Sequence, residues 1–72
     1  MLRVKFNNQK SMHQADFKEI SDNVVQLTGK KIPKNTSGFK VYRLNGDFLG
    51  DYSKYKTIVA EVENGFQFSK PE

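Results

Sequence analysis

The sequence predicts an all-β fold: a small antiparallel sheet, or a sandwich or barrel, of consecutive β-hairpins. Three observations carry this. Two Asn-Gly dipeptides, Asn45-Gly46 and Asn64-Gly65, each sit between alternating apolar runs. Asn-Gly accepts positive φ at both centres of a type I′ turn, and with such flanks it is the strongest short hairpin signal. The N-terminal residues also alternate, with Leu2, Val4 and Phe6 set against Arg3 and Lys5. Period-two alternation is the pattern of a half-buried strand.

The elements follow in order. Residues 2–6 read as a first strand with one wet face. Asn7-Asn8-Gln9-Lys10 reads as a turn. Residues 11–15, Ser-Met-His-Gln-Ala, return as a second strand of poor propensity. Residues 16–28 admit two readings. Phe17, Ile20, Val24 and Leu27 recur at helical spacing, Asp16 with Glu19 resembles a capping box, and Gly29 fits the residue after a helix. That alternative gives an α+β chain with one helix at about 16–28. The favoured reading is a hairpin turning at Ser21-Asp22-Asn23, because three turn formers and two adjacent Val disfavour a helix. Gly29–Gly38 is a loop. Residues 39–44 should pair with 47–52, and 57–63 with 66–69. Ser69–Glu72 reads as a disordered end.

The expected core comprises Val4, Phe6, Ile20, Leu27, Phe39, Val41, Ile58, Ala60 and Phe68. Six Phe and three Tyr supply much of the 36% apolar content. A chain of 72 residues makes a single small domain, 1–72, and buries only ~60% of its unfolded surface.

Composition excludes several functions. There is no Cys, so disulfides, thiolate metal sites and cysteine catalysis are absent. The lone His13 has no partner arrangement for catalysis. There is no HExxH and no phosphate-binding Gly loop. Asn45, Asp47 and Asp51 do not match the ligand order of an EF-hand, and turn formation accounts for them. The expectation is a non-enzymatic chain without cofactor, metal or membrane segment, cytoplasmic or virion-associated.

Net charge is +4 and uneven. Residues 1–43 carry nine Lys/Arg against three Asp/Glu, and residues 44–72 carry three against five. Such asymmetry suits an anionic partner, head-to-tail self-association, or plain solubility. Candidate surface residues are Lys30, Lys31, Lys34, Tyr42, Arg43, Tyr52 and Tyr55. Exposed Tyr favours protein interfaces. One of Tyr52 and Tyr55 is expected to cap the core edge. The lysine loop has no Arg and no aromatic, and on its own it reads as a solvated connection. Basic residues interleaved with aromatics can instead bind single-stranded nucleic acid, and Arg3, Lys5, Lys40, Tyr42 and Arg43 are the candidates. A protein partner is the first expectation and nucleic acid the second.

Four spaced segments carry a resemblance: Asn23-Val24-Val25-Gln26-Leu27-Thr28-Gly29, Thr36-Ser37-Gly38-Phe39, Leu49-Gly50-Asp51-Tyr52-Ser53 and Gly65-Phe66-Gln67-Phe68-Ser69. Together, over roughly residues 2–69, the chain resembles small uncharacterised proteins encoded in phages and prophages of Gram-positive bacteria. The resemblance implies a phage context beside structural or tail genes. It implies no activity and transfers no catalytic residue.

Overall fold

A computed structural model describes residues 1–71. It holds seven strands: β1 (Leu2–Phe6), β2 (Met12–Ser21), β3 (Val24–Thr28), β4 (Phe39–Tyr42), β5 (Phe48–Tyr52), β6 (Thr57–Val62) and β7 (Gly65–Ser69). All pairings are antiparallel, in the order β5-β4-β1-β2-β3-β7-β6. The all-β expectation holds, and residues 16–28 form the hairpin rather than the helix. A meander of β1, β2 and β3 forms the centre. The β4–β5 hairpin joins it beside β1, and the β6–β7 hairpin beside β3.

Two expected strands, at 11–15 and in the 16–28 hairpin, are one ten-residue strand. The first half of β2 pairs with β1 from Leu2↔Ala15 to Lys5↔Met12. The second half pairs with β3 from Asp16↔Thr28 to Ser21↔Val24. The sheet folds over itself about β2, and aromatic rings from the two halves meet inside. Phe68 on β7 lies 6.2 Å from Phe6 and 5.4 Å from Phe39 between ring centroids. Phe17 on β2 lies 4.9 Å from Tyr52 on β5. Such pairs contribute ~0.5–1.5 kcal/mol each beyond their buried area.

The buried core is Val4, Phe6, Ala15, Val25, Leu27, Phe39, Val41 and Phe68. Ile58 and Ala60 are half-buried. Ile20, expected inside, is exposed. Its position is a β-bulge: Glu19 faces Val25 and Ser21 faces Val24, leaving Ile20 unpaired. Two more bulges leave Leu49 on β5 and Val59 on β6 unpaired, and both are exposed. A bulge inserts one residue and breaks the period-two count. Both edge strands therefore carry a bulge, a device that discourages edge-to-edge pairing.

Neither Asn-Gly pair forms the expected two-residue type I′ turn. At the first, the Gly46 amide donates to the Arg43 carbonyl at 2.9 Å and the Arg43 amide to the Asp47 carbonyl at 2.8 Å. The turn centres are Leu44 and Asn45, and of Asn45 and Gly46 only Gly46 has positive φ, at 98°. At the second, Val62 pairs with Gly65, so Glu63 and Asn64 span the turn, with Asn64 at φ 64°. Gly65 is a strand residue. A Cβ there would clash with the Leu27 carbonyl oxygen and stand 2.8 Å from the Thr28 Cα. It is glycine because β3 passes too close for any side chain.

The loop 29–38 is pinned by polar contacts. The largely buried Asn35 donates to Asn8 Oδ1 at 2.8 Å and accepts from the Ser37 amide at 2.9 Å. Asn7 donates from its amide to the Gly38 carbonyl at 3.0 Å and from Nδ2 to Ser53 Oγ at 2.9 Å. These bonds tie the β1–β2 turn, the loop and the end of β5 together. Within the end expected to be disordered, Ser69 pairs in β7 and the Lys70 amide donates to the Asn23 carbonyl at 3.1 Å, while Glu72 lies outside the described residues.

Candidate nucleic-acid interface

Alternation about the core fixes what the other face of β5-β4-β1-β2 presents. Val4, Phe6, Phe39 and Val41 point inward, so Arg3, Lys5, Lys40 and Tyr42 point outward. Register then aligns them in two rows across the strands. One row runs Phe48, Tyr42, Arg3, Gln14, and the next runs Asp51, Lys40, Lys5, Met12. Tyr42 and Phe48 meet edge to face at 5.6 Å, which confirms their common side. Phe48 is 56% exposed.

Among the described residues Arg3, Lys5 and Lys40 form no ion pair. Among the described residues the ion pair present joins the Met1 ammonium to Asp16 at 3.7 Å, away from these rows. Lys5 stands directly opposite Lys40. Like charges in that relation destabilise a sheet. Asp51, on the other side of Lys40, is engaged by Ser53, whose amide donates to it at 2.9 Å and whose hydroxyl also donates to it. Those two bonds, with the Lys40 charge adding to them, hold its carboxyl below the usual range.

The residues singled out in the sequence separate into several places. Arg3, Lys5, Lys40 and Tyr42 share the open face. Arg43 is exposed in the adjoining turn. Tyr52 points the other way, stacked on Phe39 at 5.6 Å with 17° between ring planes, and Tyr55 meets it edge to face at 5.3 Å. Both rings belong to the rim of the core. Lys30 and Lys31 line a cleft beside β2, and Lys34 lies outside it. Phe48, Gln14 and Met12 join the face without having been singled out. The bulge at Leu49 obscured Phe48, because its side chain faces outward only once one residue is skipped.

Comparison with known proteins finds no matching family model, no matching curated protein and no matching solved structure. The fold and the face are therefore read from this chain alone. They define a small all-β protein with an open, basic and aromatic sheet face. Among the described residues no group of three His, Asp or Glu side chains gathers that could hold a metal ion.

Proposed function

We propose that this chain is a non-enzymatic binding module that takes single-stranded nucleic acid on the outer face of β5-β4-β1-β2. The observation that carries the proposal is Lys5 set directly opposite Lys40, placed beside Arg3 and the Tyr42–Phe48 rings. A sheet retains a repulsive pair at some loss of stability, and a bound polyanion relieves it. The rings supply stacking surfaces and the cations follow phosphates. Stacking of this kind contributes ~1–3 kcal/mol per base. The strand is single because its bases must be free to lie on the rings.

Fluorescence anisotropy with a labelled oligothymidylate tests this. Binding should weaken as salt rises, and changing Lys5 and Lys40 together to Thr should abolish most of it while the protein stays folded. Absence of binding at low salt removes the proposal.

A second reading has its own observation. Leu44, Phe48 and Leu49 are all exposed on the β4–β5 hairpin, an apolar end suited to a protein partner. With the resemblance to phage-encoded proteins, this supports a structural or protein-interaction module. Sedimentation of the pure protein with and without Leu44→Ser and Leu49→Ser tests self-association through this end. Loss of assembly in the variant, with oligonucleotide binding absent throughout, would favour this second reading.

A further inference from the structure

We infer that a single strand lying on this face runs across the β-strands and continues past β2 into the cleft beside Lys30 and Lys31. The inference rests on the reading of the face as a nucleic-acid interface. Neighbouring strands lie ~4.8 Å apart, so the row from Phe48 to Gln14 extends ~14 Å over three steps. Both rows end on β2, one at Gln14 and the other at Met12. These same two residues line a cleft of about 430 Å³, which Lys30 and Lys31 also line. That volume lies within the ~300–1,000 Å³ of small-ligand sites. The basic face and the basic loop thus share a border.

The two lysines are held there from both sides. On one side a Cβ at Gly29 would stand 2.7 Å from the Gln14 carbonyl oxygen, so the chain leaving β3 runs against the β2 backbone. On the other side Ile32 packs on the core. Lys30 and Lys31 are two exposed cations between two anchors, rather than the tip of a free loop. Asp16 also lines the cleft, and the Met1 ammonium lies 3.7 Å from its carboxylate. Glu63 lines only the adjoining cavity. Lys34, which sequence alone groups with Lys30 and Lys31, has no part in this path.

The test compares a four-nucleotide with a twelve-nucleotide oligothymidylate by anisotropy across a salt series. Two lost phosphate contacts on a single strand lower the salt slope by ~1.4, which corresponds to about 25-fold in affinity at 0.1 M salt. The Lys30→Gln/Lys31→Gln variant should show that loss on the longer oligonucleotide and none on the shorter. Lys34→Gln should bind both like the wild type. Unchanged binding of the longer oligonucleotide by Lys30→Gln/Lys31→Gln overturns the path. If Lys5→Thr/Lys40→Thr still loses both oligonucleotides in that case, the face itself stands. Failure of the wild type to bind either length removes path and face together.

Discussion

Lys5 on β1 and Lys40 on β4 lie directly opposite each other, both on the solvent face of the sheet. Their repulsion opposes folding and attracts an anion. Lys5→Thr, which removes the repulsion and leaves Lys40 beside Asp51, should therefore raise stability by ~0.2–1 kcal/mol, since Thr also suits a strand. The same change should lower the salt slope of oligonucleotide binding by ~0.7. Chemical denaturation and anisotropy read the two effects separately. A variant that loses both stability and binding would show that Lys5 supports the fold.

On the proposed interface the Tyr42–Phe48 pair would be the surface on which bases stack. Phe48→Ala should weaken oligonucleotide binding by ~1–3 kcal/mol. Tyr42→Phe keeps the ring and should leave binding close to wild type. Titration of a pyrimidine oligonucleotide against both variants measures the difference.

Phe39 is fully buried and touches the rings of Phe6, Phe68 and Tyr52. Phe39→Ala should cost ~3–5 kcal/mol. In a domain this small that is enough to leave much of the population unfolded at room temperature. An unchanged melting temperature would place the wrong side of β4 inward.

Gly65 and Asn64 should respond in opposite ways to substitution. Gly65→Ala drives a methyl into the β3 backbone at Leu27 and Thr28, and overpacking of this kind costs ~1–3 kcal/mol. Asn64→Gly relieves a positive φ and should be neutral or slightly stabilising. Urea midpoints of the two variants test which residue makes the turn.

Burial of the Tyr52 phenol raises its pKa above the ordinary value, with the Glu19 charge and then Tyr55 adding to it. The folded state holds this proton more tightly than the unfolded state does. The resulting stability is fully present below pH ~10 and is lost as pH rises through the folded value. Tyr52→Phe should flatten that alkaline decline in melting temperature. An identical decline in wild type and variant would assign it to other groups.

The hairpins were legible because Asn-Gly and period two are local signals. What local reading missed came from register and close approach. Ile20 fits both the helical stripe with Phe17, Val24 and Leu27 and the strand pattern, so it looked doubly inward until a bulge turned it out. Val25 belongs with Leu27 by period two, yet the helical stripe favours Val24 instead. Ala15 sits in a stretch of poor strand propensity and is buried through its place opposite Leu2. The positive φ of Asn64 and the crowding of Gly65 interchange the roles that the dipeptide suggests. The face was half legible: Arg3, Lys5, Lys40 and Tyr42 alternate visibly, but their alignment depends on the β1–β4 pairing, which joins residues more than thirty positions apart.

The position of Phe68 has a consequence for synthesis. This ring, on the last strand of the chain order, packs against both Phe6 on β1 and Phe39 on β4. A nascent chain can form the β1–β3 meander early, but its core stays open until β7 has left the ribosome. Folding is then delayed until after the β6–β7 hairpin emerges. Until that moment the aromatic interior is accessible to chaperones and proteases, and ribosome-bound chains whose β7 is still inside the ribosome should be cleaved readily where released chains resist.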